Sequence, residues 1–191
     1  EHGRLALVIG DVAGKGTPAS LLMASVQASV HTLAGTAGPA RVMERLNHFL
    51  FVRSQVNRYV TLFYGELDTE ARQLAYVNAG HVPPYHVASD GTCRRLSTGG
   101  MALGLIDGAA YEVGQARLEP GDVVAMVTDG VTDANSPEGT EFGEERLGAA
   151  LRGLSGGSAS AILEGLVGAV DAWVGGAPST DDLTALVLKA R

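Results

Sequence analysis

Three apolar runs in this chain begin or end on aspartate. Asp11 closes the run "LALVIG", Asp129 follows "VVAMVT", and Asp181 and Asp182 precede "LTALVL". An acid at the end of a buried strand is held by a rigid element and still reaches solvent. Were the three strands neighbours, the carboxylates would converge and raise one another's pKa, for which a cation is the usual remedy. Oxygen ligands select hard ions such as Mg2+ or Mn2+ and argue against zinc. A single aspartate so placed reads as the cap of a turn. Several, each beside glycine or threonine, favour a metal site.

The stretch around Asp11, "IGDVAGKGTPASLLM", offers a competing chemistry. Its glycines and Lys15 suggest a phosphate cradle, but the spacing fails. Only Asp11, Val12 and Ala13 separate Gly10 from Gly14, too few for a nucleotide P-loop, and Gly16 follows Lys15 where a hydroxyl residue is required. A carboxylate inside a phosphate cradle would also repel the ligand unless a cation lay between. Lys15 reads as a solvated loop residue, with a contact to substrate phosphate as its alternative. His81 in "NAGHVPP" is a candidate general acid, but the preferred reading is a turn histidine ahead of Pro83 and Pro84. His31 and His48 fall within predicted helices and read as structural, and Trp173 and Phe49 as core. Asp133, close to Asp129, is the weaker candidate for a further ligand.

The elements that must position these acids follow from hydrophobic period. Leu5–Ile9 reads as a buried strand. Pro18 suits the first turn of a helix that runs to Leu33 and, from its apolar content, is expected to be buried. Val42, Met43, Leu46, Phe49 and Leu50 line one face of a second helix. "YVTLFYGELD" and "RQLAYVNAG" form a hairpin around Asp68 to Arg72. Tyr85–Val87 and Thr92–Leu96 flank the turn Asp90-Gly91, and Tyr111–Leu118 and Val123–Thr128 flank Pro120-Gly121-Asp122. Helices over Glu144–Leu154 and Ala159–Val174, separated by "SGGS", precede a last strand, Leu183–Leu188. This order lacks regular β-α alternation and disfavours a doubly wound sheet. Two helix pairs around a long, mainly antiparallel middle predict an α+β sandwich, with sheet inside and helices outside.

The chain has 191 residues, 46% of them hydrophobic, enough for one domain with a substantial core. It carries no apolar run of membrane-spanning length and no signal segment. The single cysteine, Cys93, has no partner for a disulfide and suits a cytoplasmic setting. A net charge of −7 without clustered Lys or Arg excludes nucleic acid as a principal ligand.

"GDVAGKGTPA", "NAGHVPP", "VTDGVTDA" and "TDDLTALVLK" occur in this order, with "ERLNHFL", "GGMALGL" and "FGEERL" between them. In this ordered set the chain resembles the metal-dependent protein phosphatases of the type-2C class, in their bacterial RsbU/SpoIIE-like branch. The resemblance implies an α-β-β-α sandwich that hydrolyses phosphoserine or phosphothreonine with two Mn2+ or Mg2+ ions and a bridging water. It implies that Asp11 bridges both ions, that the Val12 carbonyl adds a ligand, and that Asp129 and Asp181 complete the set. Asp182 takes a position often held by Asn. It further implies a phosphoprotein substrate, an anti-sigma-factor antagonist. The class carries another ligand acid on a strand upstream of Gly10-Asp11, in a "GGD" phrase that this sequence lacks; Glu1 is the only acid before Asp11. The expectation is therefore a single phosphatase domain over 1–191, N-terminally incomplete and lacking its first strand. A regulatory module that keeps the fold but has impaired turnover is the alternative.

Overall fold

Residues 3–53, 58–176 and 182–191 are described by the structure, a computed structural model. In chain order the first elements are β1 (Arg4–Val12), α1 (Thr17–Leu33), α2 (Pro39–Arg53), β2 (Val60–Asp68) and β3 (Gln73–Ala79). Short strands follow: β4 (Tyr85–Val87), β5 (Cys93–Arg95), β6 (Gly99–Gly100) and β7 (Gly114–Arg117). The chain continues through β8 (Val123–Val127), α3 (Asp129–Thr132), α4 (Gly143–Leu154), α5 (Ala159–Val174) and β9 (Ala185–Lys189). Two compact units result, Glu1–Pro83 with Ser97–Arg117, and Pro84–Leu96 with Leu118–Arg191.

The first unit is built on a sheet ordered β1-β2-β3-β6, with β7 also paired to β3. All its pairings are antiparallel except β3 with β6. The register sets Val8 opposite Tyr64 and Val12 opposite Val60. Period-two alternation therefore sends Val8, Val12, Val60, Leu62 and Tyr64 to one face. There they pack with Val26 and Val30 of α1 and with Val42, Met43, Leu46 and Leu50 of α2. Each of the larger buried side chains contributes roughly 1.5–3 kcal/mol relative to exposure. Leu7, Ile9, Phe63 and Tyr76 take the opposite face and are also buried. The Phe63 and Tyr76 rings stack there, with centroids 5.4 Å apart. At one end of that face the pattern turns polar, at Asp11, Thr61 and Asn78.

The second unit carries an antiparallel sheet ordered β5-β4-β8-β9. Every residue of β8, "VVAMV", is buried, as a central strand covered on both faces requires. Leu147 and Leu151 of α4 and Ile162, Leu166 and Val170 of α5 are the buried sides of the amphipathic helices. The Ser158 side chain accepts the Ala161 N–H at the start of α5, and left-handed Gly175 ends it. A buried polar pair fastens this unit. His86 Nε2 on β4 lies 2.8 Å from Asp122 Oδ2, and the same carboxylate accepts the N–H groups of Ser89 and Glu119. The Asp122 backbone carbonyl in turn accepts the N–H of Ala190, just beyond β9.

Two mainly antiparallel sheets with helices match the expected α+β class, and α5 spans the expected residues. Several expectations are corrected. α1 is not a buried helix: Leu21 is 65% exposed, and only Ala19, Val26 and Val30 are buried, a narrow stripe against the sheet. The strand expected from Tyr111 begins at Gly114, because the Tyr111 side chain joins the helix-side core and Glu112 donates its N–H to Gly99. The last strand starts at Ala185 rather than Leu183. β6 and α3 have no sequence signal; two glycines carry no strand preference, and α3 is a single turn. Trp173 is half-buried, its Nε1 donating to the Thr140 carbonyl and the Arg146 guanidinium stacked 4.0 Å above its ring. Phe49 is likewise half-buried, at the rim of the core. Among the described residues no helix is long and apolar enough to cross a membrane.

Burial alone would push the Asp122 carboxyl up, but the bonds from His86, Glu119 and Ser89 outweigh it and hold it below the usual value. A depressed folded pKa means stabilisation that is present above the unfolded value, near about 3.9, and lost as pH falls through the folded one. Asp122→Ala is expected to cost on the order of 3 kcal/mol at neutral pH, by leaving His86 and two N–H groups buried without their acceptor. It should also flatten part of the acid limb. Urea denaturation followed from neutral to acid pH measures both effects, and an unchanged midpoint at neutral pH would contradict them.

Candidate metal centre

Asp11 is the penultimate residue of β1 and is exposed, while Ile9 and Val12 beside it are buried. The backbone around it is fixed by hydrogen-bond alternation. The Val60 N–H donates to the Leu103 carbonyl (3.0 Å), and the Val60 carbonyl accepts the Leu103 N–H (2.8 Å). The Ala13 N–H donates to the Tyr59 carbonyl at 2.9 Å. Bonded and non-bonded pairs alternate along an antiparallel ladder. Asp11–Thr61 is therefore a bonded pair and Val12–Val60 is not. The Val12 carbonyl points away from β2, toward the outer edge of the sheet, where β1 is the edge strand among the described residues. That is the orientation a backbone ligand needs. Gly10 is required by close packing: a Cβ there would stand 2.5 Å from Leu62 Cδ1 and 2.8 Å from the Thr61 carbonyl oxygen.

Asp129 is the first residue of α3, separated from β8 by Thr128 alone, and is exposed. The segment 182–184 clamps the backbone on both sides of it. The Thr128 N–H donates to the Thr184 carbonyl at 3.0 Å, and the Thr184 N–H donates to Thr128 Oγ1 at 3.1 Å. Thr128 Oγ1 donates to the Asp182 carbonyl at 3.3 Å. On the other side a Cβ on Gly130 would lie 2.3 Å from the Asp182 carbonyl oxygen. The "TDG" and "TDDLT" phrases are thus two halves of one backbone clamp around Asp129. Asp182 is exposed and lies ahead of β9, which begins at Ala185. Asp181 lies outside the described residues.

The remaining candidates separate cleanly. Lys15 is exposed. His81 is 5% exposed, with ring Nδ1 2.9 Å from Thr61 Oγ1 and Nε2 buried, which suits the turn histidine rather than a solvent-facing acid. His31 is exposed on α1. His48 Nδ1 sits 2.9 Å from Asp107 Oδ1, and this bond holds the Asp107 carboxyl below its usual range. Asp133 is exposed, and its Oδ1 lies 2.9 Å from the Thr132 hydroxyl, which also lies 3.1 Å from the Asp129 carbonyl.

Among the described residues no group of three or more His, Cys, Asp or Glu side chains forms a metal cage. Asp11 belongs to the first unit and Asp129 to the second. Their chemistry fits a hard divalent ion. Each is an exposed carboxylate beside the end of a strand, an oxygen donor of the kind a hard divalent ion takes. Thr61, Thr128, Gly130 and Thr184 were not picked out as site residues from sequence. Thr128, Gly130 and Thr184 sit within quoted motif phrases, but Thr61 acquires its place only from strand register.

The family described as "Stage II sporulation protein E (SpoIIE)" matches residues 1–191. The phosphoserine phosphatase RsbU of Bacillus subtilis is 31% identical over 135 residues, covering 70% of this chain and 40% of that protein. The RsbU and RsbW domains of Rv1364c from Mycobacterium tuberculosis superpose with a TM-score of 0.83 at 24% identity, over 99% of this chain and 52% of that one. The PP2C phosphatase domain of SpoIIE from Bacillus subtilis, solved with a fragment of its regulatory domain, gives 0.81 at 20% identity, over 97% and 54%. The chain has the fold of these domains. It spans between 27% and 40% of the length of three curated relatives, RsbU among them.

The clamp around Asp129 makes Gly130 sensitive. Gly130→Ala is expected to displace residues 182–184 from β8 at a cost of about 1–3 kcal/mol. Faster hydrogen exchange at the Thr128 and Thr184 amides, with the rest of the second unit protected, is the signature. Unchanged exchange at both amides would contradict the clamp.

Proposed function

The chain belongs to the SpoIIE family, the RsbU- and SpoIIE-like branch of the type-2C protein phosphatases, and on that premise we propose that it is a metal-dependent protein serine/threonine phosphatase. The observation that carries the proposal is the pair of exposed acids at the family's motif positions. Asp11 stands near the end of β1 and Asp129 just beyond the buried strand β8, and each adjoins a glycine that close backbone contact demands. Rigid backbone and a solvent-reaching carboxylate are what a preorganised ligand requires.

In this reading Asp11, the Val12 carbonyl, Asp129 and Asp181 would hold two Mn2+ or Mg2+ ions. Bound there, the ions would provide a water of lowered pKa and neutralise the phosphoryl oxygens. The protein's own part is to hold the donors: the β1–β2 ladder fixes Asp11 and aims the Val12 carbonyl, and the backbone clamp at Thr128 and Gly130 fixes Asp129. We take the substrate to be a phosphoserine or phosphothreonine protein in the cytoplasm. A phosphorylated anti-sigma-factor antagonist is the proposed physiological target, supported by similarity to RsbU and RsbP of Bacillus subtilis.

Phosphate release from a phosphoserine protein should require Mn2+ or Mg2+ and stop on chelation. Asp11→Asn is expected to lower the rate on the order of a hundredfold or more while circular dichroism stays native. Asp181→Ala should weaken Mn2+ binding in calorimetry more than Asp182→Ala. Near-normal Mn2+-dependent hydrolysis by Asp11→Asn would overturn the assignment. Metal binding without any phosphate release would point to a regulatory module instead.

A further inference from the structure

The helix side of the first unit carries a groove between α1 and the last turns of α2, with a volume of about 350 Å3. Leu21 and Leu22 of α1 and Phe49 and Arg53 of α2 line it, together with Pro18 and Arg58. Leu21 is 65% exposed, and Leu22 and Phe49 are half-buried, so the groove offers apolar surface to water. Its charge is one-sided. α1, for all its exposure, has no Lys, Arg, Asp or Glu along its 17 residues. Among the described residues the groove's charges are Arg53 and Arg58, and no acid lines it. The Arg53 guanidinium stands 5.2 Å from the centroid of the Phe49 ring, which holds one cation against an aromatic wall. This local surplus of positive charge contrasts with a net charge of −7 for the chain.

The groove adjoins Asp11 from two directions. The loop that leaves Val12 enters α1 at Thr17, and the next residue, Pro18, lines the groove. On the other strand the Tyr59 carbonyl accepts the Ala13 N–H, and Thr61, three residues beyond Arg58, is the register partner of Asp11. At roughly 3.3 Å per strand residue, the Arg58 backbone stands about 10 Å along the ladder from the level of Asp11. We propose that this groove docks the residues flanking the phosphorylated one in a protein substrate, and that Arg53 and Arg58 select substrates with Asp or Glu two or three positions from it. This rests on the phosphatase reading and on Asp11 as a metal ligand. An extended peptide covers about 3.3–3.6 Å per residue, so an acid two or three positions from a phosphoserine held at Asp11 lies about 7–11 Å away, which matches the span to Arg58. A guanidinium fork receives a carboxylate through two parallel hydrogen bonds. Leu21, Leu22 and Phe49 take an apolar side chain of the same segment. An aryl phosphate is too short to reach from Asp11 into the groove.

Steady-state kinetics of the full chain on phosphopeptides, with saturating Mn2+, test this. Two phosphoserine peptides of equal length and apolar content are compared. One has Glu at the second and third positions on both sides of the phosphoserine, and the other has Gln there. The acidic peptide is expected to show a kcat/KM roughly five- to tenfold higher, through KM, as two exposed ion pairs allow. That advantage should shrink with added salt, because exposed charges are screened over about 10 Å at 0.1 M. Arg53→Gln combined with Arg58→Gln should erase it. The decisive variant combines Arg53→Glu with Arg58→Glu and is expected to prefer a third peptide with Lys at the same positions, a gain that general damage to the fold does not produce. Loss of rate by one common factor on all three peptides overturns the proposal. So does an equal kcat/KM of the parent chain for the Glu and Gln peptides. Hydrolysis of an aryl phosphate by the parent chain separates the premise from the inference. If Mn2+ supports no phosphate release from it, the phosphatase reading falls and the docking assignment falls with it. If it is hydrolysed while flanking charge makes no difference, only the docking assignment falls. Sedimentation of the chain covers the remaining occupant. A dimer that Leu21→Ser dissociates, with no preference among the peptides, would assign the groove to a second copy and overturn the proposal.

Discussion

The register between β1 and β2 is the constraint on which the first unit depends. Side chains alternate across a strand, so a slip of one residue would send Val8 and Val12 to the far face and turn Asp11 into the helix-side core. Gly10 opposes such a slip, because the space over it is filled by Leu62 and the Thr61 carbonyl. So does Val60, whose N–H and carbonyl are both taken by Leu103. One ladder thus sets the position of a carboxylate, the direction of a carbonyl and the neighbour opposite the carboxylate. Apolar packing of β2 against α1 and α2 stabilises a polar arrangement on the other face without contributing a polar atom to it.

The second unit reaches a similar end by other means. Asp129 is not held within a ladder. It follows β8 into a single helical turn, and the neighbouring segment at Asp182–Thr184 restrains the backbone on either side. Threonine at 128 serves there because its hydroxyl both donates and accepts. Glycine at 130 serves because any side chain would strike the Asp182 carbonyl. Backbone contact, rather than the chemistry of the aspartate, explains why these residue types surround it.

Much of this was legible in the residues. Long amphipathic runs announced α2, α4 and α5, and the hairpin from Val60 to Ala79 was visible in its period and its turn. The acids Asp11 and Asp129 stood out because each interrupts an apolar run. Less was legible where residue identity says nothing about partners. His86 and Asp122 are 36 positions apart and share no phrase, yet they form a buried pair. Thr61 is an ordinary strand residue until the register places Asp11 across from it. The apolar content of α1 suggested full burial, but content does not determine how much of a helix its sheet can cover, and Leu21 stays in water. Strand ends are equally hard to read: Leu183 and Thr184 look like strand, while Thr184 is committed to Thr128 ahead of the β9 ladder.

The clamp that joins Thr128 to Asp182 spans 54 positions of chain. During synthesis at about 5–20 residues per second, Asp129 leaves the ribosome several seconds before the segment that restrains it. β8 is central in its sheet and apolar throughout, so over that interval it has β4 on one side and an unfilled edge on the other. The acid loop and the open strand are therefore completed by the same late event, the arrival of β9. A nascent chain that stalls short of this segment exposes a sticky edge and an unrestrained aspartate together. Quality control that recognises the edge would consequently also remove chains whose acid loop has never been set.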